Sequence, residues 1–294
     1  MTSRQREFII KITINNTLIV RKSIFKKIAT LQGGIQVPNQ DALRQYDVSL
    51  FRTPDGYTSD IAVFTITSHQ LAEYTPPKMT LKLMLIKRAL LNAEEQINIE
   101  SGKWALPGGF VQDDESGFEA AVRELKEETG VDGIHVKHFG VYDKPGRDPR
   151  GWIITNGHYA IVSEHFLSKM NANDDAAEVE LFSVDDVLKL DLAFDHYDII
   201  KDAINVITND LLQTTVAKNF LPKHFTYSEL QALLLTVTKD PSISSDQSFA
   251  RKIKTLPFIH AVPGMKTQRT SKSPTQLYEF IEMDIIKPIY TARY

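Results

Sequence analysis

The chain of 294 residues contains no cysteine. Disulfides, thiolate-held metals and cysteine nucleophiles are excluded together, and a reducing cytoplasm is the compartment this composition leads us to expect. Long apolar runs are also missing: Lys and Arg interrupt even LKLMLIKRALL from Leu81, far short of the ~18 residues a membrane-crossing helix needs. The expectation is a soluble protein without a membrane partner. No internal repeat or low-complexity linker breaks the chain. Acidic residues are scarce at both ends. Residues 1–27 hold seven Lys/Arg and only Glu7, and residues 218–294 hold 11 Lys/Arg against 6 Asp/Glu, leaving 23 against 31 in residues 1–217. A basic, acid-poor start can be an organelle-targeting peptide, but EFIIKITINNTLIVRKSIFKKI is β-branched and lacks a serine-rich amphipathic pattern. We read it as a structural extension.

With 42% apolar and 24% charged residues the chain has the composition of an ordered globular protein, and its length suits two domains with two cores. Strands are predicted at DIAVFTI from Asp60, LKLMLIK from Leu81, IHVKHFGVY from Ile134, GWIITNGHYAIV from Gly151 and EVELFSV from Glu178. Between the second and third lies a helix whose Phe118, Ala121, Val122, Leu125 and Thr129 recur with helical period as a buried stripe. Asp113, Asp114, Glu115 and Ser116 supply its N-terminal charge and capping oxygens, and Gly130 is placed to end it. One buried helix on a mixed sheet is implied. A second helix runs from about His196 to Leu212 as a connector, with His196 after Asp195 as a turn or cap element. Then NFLPKHF breaks the pattern before a small unit: helix TYSELQALLLTVT, turn KDPSISSD, helix QSFARKIKTL, a loop with Pro263 and Gly264, and strand TQLYEFIEM.

On the first helix Glu124, Glu127 and Glu128 project within about 100° of one another, away from the apolar stripe. Like charges three and four residues apart destabilise a helix by a few tenths of a kcal/mol each, so something positive is needed. Arg123 offsets part of the repulsion, through Glu119 and Glu127 at four-residue spacing. A bound divalent cation completes the balance. Magnesium, or manganese, prefers hard oxygen ligands and often takes its remaining ones from substrate phosphates. The plain alternative is a solvated glutamate-rich face.

The spacing favours the metal. From Gly109 the chain has five residues, Glu115, seven residues, then Arg123-Glu124-Leu125-Lys126-Glu127-Glu128-Thr129-Gly130-Val131. All nine defined positions of the Nudix box are matched, and the segment resembles the Nudix hydrolase superfamily. That resemblance implies an α/β/α sandwich with a mixed sheet, in which the loop at Gly108 and Gly109 leads into the catalytic helix. It further implies that Glu124, Glu127 and Glu128 bind the ion together with a main-chain carbonyl near Gly108, that Arg123 orients one glutamate, and that Glu115 is a supporting or ligand position. The reaction implied is hydrolysis of a nucleoside diphosphate linked to another group. The general base stays open among Glu124, Glu178 and Glu180.

The loop YDKPGRDPRGW, shaped by Pro145, Gly146, Pro149 and Gly151, concentrates Arg147, Asp148 and Arg150, a set suited to phosphate or carboxylate, or equally to a salt-bridged turn. It resembles the RDPRG loop of ADP-ribose pyrophosphatases and of Nudix-related transcriptional regulators, as do AFDHYDII from Ala193 and LPKHFTYSELQ from Leu221. The likeness covers roughly residues 45–285 and implies a C-terminal winged helix-turn-helix. We therefore expect an extension at 1–44, a Nudix domain with connector at 45–215 and a winged helix at 216–294. Six basic residues without an acid (Arg251, Lys252, Lys254, Lys266, Arg269 and Lys272) support double-stranded DNA as a partner, with VPGMKTQRTSKSP as the wing. Where the regulators carry a helix like RNFRRK, this chain has QSFARK, with fewer charges for DNA. Two readings follow. In one the protein is a magnesium-dependent hydrolase of ADP-ribose, releasing AMP and ribose 5-phosphate. In the other it is a transcriptional regulator whose Nudix domain senses ADP-ribose or a sugar-like effector. The intact box favours the first, and the resemblance implies a homodimer for either. Tyr142, Trp152 and Tyr159 are candidates to stack on adenine or to fill the core.

Overall fold

The computed structural model describes residues 11–14, 17–20, 44, 46–50, 52–91, 95–129, 135–163 and 176–281. Its contacts divide the chain into two units, Met1–Thr53 and Pro54–Tyr294. In the first, β1 (Lys11–Ile14) and β2 (Thr17–Val20) form an antiparallel hairpin. A 3-10 turn follows at Val48–Leu50, where the Asp47 carboxylate accepts hydrogen bonds from the Ser49 amide at 3.0 Å and hydroxyl at 2.6 Å. Most of the extension expected at 1–44 lies outside the described residues.

The second unit is built on a seven-stranded sheet. Its path is β5 (Trp104–Ala105), β4 (Lys78–Arg88), β3 (Gly56–His69), β8 (Ile153–Ile161) and β7 (His135–Tyr142), with β6 (Gly108–Phe110) on β3 and β9 (Ala176–Ser183) on β4. The β3–β8 pair is parallel and the other pairs are antiparallel, so the sheet is mixed as expected. Period two sorts the strand side chains into two layers. Ile61, Val63, Met84, Ala160 and Val162 face one way and meet Ala121 and Leu125 of helix α1 (Gly117–Thr129). Ala62, Phe64, Leu83, Leu85 and Tyr159 face the other way and meet Ile199, Ile200, Ala203, Ile207 and Leu211 of α2 (His196–Gln213). The result is α/β/α. Truncating Leu125 to Ala would cost about 2–5 kcal/mol by the usual scale for a fully packed leucine.

α1 starts at a reciprocal cap: the Glu119 amide donates to Ser116 Oγ at 3.2 Å while Glu119 Oε2 accepts from the Ser116 amide at 2.8 Å. Its buried face differs from the expected one. Ala120, Ala121 and Leu125 are buried, but Phe118 is 49% exposed, its ring edge-on to His158. Ser59 Oγ donates to the Gly117 carbonyl at 2.9 Å, holding the first turn against the sheet. The expected terminator, Gly130, lies outside the described residues.

After α2 come a 3-10 turn (Val216–Asn219), α3 (Tyr227–Leu234), α4 (Pro241–Ser244), α5 (Asp246–Lys252) and the antiparallel pair β10 (Ile259–Thr267) and β11 (Thr275–Phe280), which together make a winged helix. Three details depart from the sequence reading. α3 stops at Leu234 because the β-branched run Thr236-Val237-Thr238 is taken into turns, with Thr236 Oγ1 donating to the Leu233 carbonyl at 2.7 Å. The predicted turn KDPSISSD contains the one-turn helix α4, capped by Asp240 Oδ1 on the Ser242 amide at 2.7 Å. Pro263 and Gly264 fall inside β10, where the register shifts between Ala261 and Lys266, a place where proline's missing N–H costs no ladder bond. Two cores were expected. The division does not follow the domains: beside the α1 layer, a single cluster runs from Phe64 of the sheet through Ile199 of α2 to Val216, Phe225, Leu230, Phe249 and Phe258 of the winged helix.

Candidate functional site

The box loop enters α1 over the start of β3. Gly108 pairs with Asp60, has φ +151°, and a Cβ on it would stand 2.3 Å from the Ser59 carbonyl oxygen. On Gly109 a Cβ would stand 2.1 Å from Glu124 Oε1, so any larger residue would have to displace the carboxylate that the loop backbone rests against. Both expected glycines therefore have a steric reason.

Arg123 is the hub of the acidic cluster. Its Nε and Nη2 donate to the two oxygens of Glu115 at 3.0 and 2.6 Å, and its Nη1 donates to Glu124 Oε1 at 2.8 Å and Glu127 Oε2 at 3.2 Å. The Phe110 carbonyl accepts a further bond from Nη2 at 3.2 Å. Glu115 is held below the usual carboxylate range by Arg123 and then by the Gln112 amide. Burial pushes Glu124 up, against the pull of Arg123. Three carboxylates thus share one guanidinium, an excess of two negative charges. Glu127 is more than half exposed, whereas the Glu124 side chain is 14% exposed. The Glu128 side chain lies outside the described residues. Among the described residues no three His, Cys, Asp or Glu side chains converge as a metal set. Of the candidate bases on β9, Glu178 pairs with Lys87 at 3.4 Å and Glu180 is exposed.

The RDPRG loop is organised differently from the expectation of three substrate contacts. Arg147 points inward, with its side chain 3% exposed. Its Nε and Nη2 grip Asp195 at 2.8 and 2.6 Å, Nη1 donates to Thr155 Oγ1 at 3.1 Å, and Asp60 Oδ2 is 3.9 Å from Nη2. Asp148 is buried under Arg150, which it binds through Nη2 at 2.6 Å. Only Arg150 reaches the surface, its guanidinium stacked at 5.2 Å from the Phe110 ring and 5.1 Å from that of Phe194. Turn-forming prolines and glycines fold the loop back, so its charges meet one another before they meet solvent.

The sequence reading missed the group beneath the loop. Asp60, just before the apolar run Ile61–Phe64 of β3, is pushed by burial up to about 7, against the field of Arg147. His196 is buried, accepts the Leu106 amide on Nδ1 at 2.9 Å, and is pulled down to about 3 by burial and then by Arg147. A single aspartate in the strand SDIAVFTI was the available signal, since a buried carboxyl needs partners brought by other segments. Tyr159 is core, its hydroxyl donating to Asp210 at 2.6 Å, while Tyr142 donates to Asp202 at 3.1 Å and Trp152 is 37% exposed.

On the winged helix Arg251, Lys254, Lys266 and Lys272 are exposed and Lys252 is half-buried. Arg269 departs from the expected stripe. Its Nε and Nη2 bind both oxygens of Glu229 at 2.7 Å each and Nη2 also meets the His224 carbonyl at 2.9 Å, bracing the wing against α3. Glu229 closes the capping box of α3 on Thr226, so the brace ends on a fixed carboxylate.

Comparison with known proteins agrees with this architecture. The NUDIX domain model matches residues 78–203, and the model of the NrtR DNA-binding winged helix domain matches residues 217–280. A mutT/nudix family protein from Listeria innocua, solved as a crystal structure, is 53% identical with a TM-score of 0.50, covering 55% of this chain and 100% of its own. The chain belongs to the Nudix family. Within it, the Nudix domain is followed by a winged helix of the NrtR type. The "ADPR responsive transcriptional repressor NtrR" of Acinetobacter baylyi is 28% identical over 247 residues, 83% of this chain and 89% of that protein. An "ADP-ribose pyrophosphatase" of Methanocaldococcus jannaschii is 43% identical over 121 residues, 41% of this chain and 64% of that protein. Among the described residues no helix is long and apolar enough to cross a membrane.

Proposed function

We propose that the protein is a divalent-metal-dependent Nudix hydrolase that cleaves ADP-ribose to AMP and ribose 5-phosphate, joined to a winged helix that binds double-stranded DNA. The observation that carries this reading is the excess of two negative charges among Glu115, Arg123, Glu124 and Glu127. The donors fit magnesium or manganese: all are hard carboxylate oxygens, and Gly109 leaves the loop backbone against Glu124. Glu124, Glu127, Glu128 and the Gly108 main chain would hold the ion. Bound there, it would neutralise diphosphate charge and lower the pKa of a water. Glu115, taken up by Arg123 on both oxygens, acts by orienting that arginine. Of the candidate bases, Glu124 is the one on the box helix, its carboxyl pushed up by burial against the pull of Arg123. Arg150 is the basic group of the RDPRG loop available to substrate phosphate, while Arg147 and Asp148 shape the loop.

A second reading, regulation of transcription by ADP-ribose, is favoured by the winged helix and by the likeness to the Acinetobacter repressor over most of both chains. Both readings place the domains at 45–215 and 216–294 and the protein in the cytoplasm. A homodimer would bring two winged helices to paired half-sites.

Purified protein with magnesium is expected to release AMP from ADP-ribose, and Glu127→Gln with Glu128→Gln to lower the rate at least ~100-fold, the scale for losing metal affinity. Absence of turnover across a panel of nucleotide-sugar and dinucleotide diphosphates overturns hydrolysis and leaves the sensor.

A further inference from the structure

We propose that His196 is a positioning residue for the box loop: by accepting the Leu106 amide it fixes where Gly108 stands on Asp60 and where Gly109 stands against Glu124. The consequence drawn for metal affinity rests on the metal-dependent reading above.

The loop between β5 and β6 is tied down almost entirely through main-chain groups. The Ala193 amide donates to the Trp104 carbonyl at 2.9 Å, and the Ile61 amide donates to the Pro107 carbonyl at 2.9 Å. Pro107 has no N–H, so the Leu106 amide is the last main-chain donor before Gly108. Leu106 is 3% exposed, and its amide meets His196 Nδ1 rather than a strand neighbour. An unpaired buried amide costs as much as a lost hydrogen bond, which gives this contact authority over the loop.

The histidine is itself held. Because Nδ1 accepts, the proton sits on Nε2, which is 3.7 Å from Asp60 Oδ2. That same oxygen is 3.9 Å from Arg147 Nη2, and Arg147 is bonded to Asp195 through two nitrogens. Asp195 immediately precedes His196 at the start of α2. Asp60 is the strand partner of Gly108. The chain of contacts therefore begins and ends at the box loop, passing through the RDPRG arginine and the first residues of α2. A histidine that only filled space would need neither the Leu106 hydrogen bond nor a carboxylate facing its other nitrogen.

The test compares His196→Phe, which keeps a ring but offers no acceptor, with His196→Asn, whose Oδ1 takes the place of Nδ1. Ile207→Ala, on the buried face of the same helix, controls for general destabilisation. Two readouts are taken: amide hydrogen exchange of Leu106, and Mn2+ affinity by electron paramagnetic resonance. His196→Phe is expected to speed Leu106 exchange and weaken Mn2+ about tenfold, the lower end of what outer partners of metal sites contribute. His196→Asn should stay within about threefold of the parent, and Ile207→Ala should leave Mn2+ affinity unchanged. In the parent, 15N shifts should report the Nε2–H tautomer of a neutral His196 from pH 5 to 8. An Nδ1–H tautomer, or Leu106 exchange unaltered in His196→Phe, overturns the proposal even should a variant fold poorly. If the parent binds no Mn2+, the metal reading fails while Leu106 exchange and the tautomer still decide the tether.

Discussion

Arg123 and Arg147 each face more carboxylate than one guanidinium can neutralise, and the two sites resolve the excess in opposite ways. Around Arg123, whose side chain is 25% exposed, Glu115, Glu124 and the more exposed Glu127 share one guanidinium. Around Arg147, in the interior, Asp195 takes the guanidinium and Asp60 is left with a pKa of about 7. A low-dielectric interior removes surplus charge by protonation, whereas a partly hydrated cleft keeps it and offers it to a cation. The same residue types therefore make a recruiting site in one place and a lock in the other.

The largest expected effect separates the two. Arg147→Ala should cost about 3–5 kcal/mol in urea unfolding, because it strands a buried carboxylate. Arg123→Ala, with its partners partly hydrated, should cost about 1 kcal/mol or less without metal. Equal losses would erase the distinction. Next comes pH. Asp60 is raised from 3.8 to about 7, so its contribution to stability is complete below pH ~4 and is lost as pH climbs to about 7. His196 is lowered from 6.5 to about 3, so its contribution is present above pH 6.5 and is lost as pH falls toward 3. Between pH 4 and 6.5 the two oppose. Asp60→Asn should leave the histidine's dependence alone, so that stability rises with pH more steeply than in the parent by up to about 1.4 kcal/mol per pH unit. Denaturation midpoints at four pH values check this, and parallel curves for the two proteins would refute it.

The winged helix repeats the contrast on a smaller scale. Arg269→Ala should lower stability by about 1 kcal/mol, since its bidentate brace to Glu229 is only partly exposed. Its effect on the salt dependence of DNA binding should be close to nil. Arg251→Ala with Lys254→Ala should do the reverse, leaving the unfolding midpoint in place and reducing the slope of log affinity against log salt by about 1.8. Fluorescence anisotropy over a salt series distinguishes them, and a slope unchanged in the double variant would remove the exposed stripe from DNA contact.

How much of this could be read from residue order depends on distance along the chain. The nine box positions lie within one loop and one helix, so spacing alone placed Glu124 and Glu127 beside Arg123. β3 and β4 were legible because their apolar residues run unbroken through the sheet's middle. Phe118 was misplaced because helical period says which residues share a face but not how closely a glycine-led first turn will sit on a sheet. The Asp60–Arg147–Asp195–His196 group was beyond reach, since its members come from β3, a loop and the start of α2 and meet only in the fold. Arg269, similarly, looked like its basic neighbours until Glu229, forty residues away, stood beside it.

Residue order alone determined the Nudix box, the strand and helix periodicities and the concentration of positive charge toward the C-terminus, because each is a matter of local spacing or simple count. Only the tertiary structure decided which arginines face water and which are sealed against a carboxylate. The reason is physical: what a charge does depends on the medium around it, and that medium is made by segments that are neighbours in space and strangers in sequence.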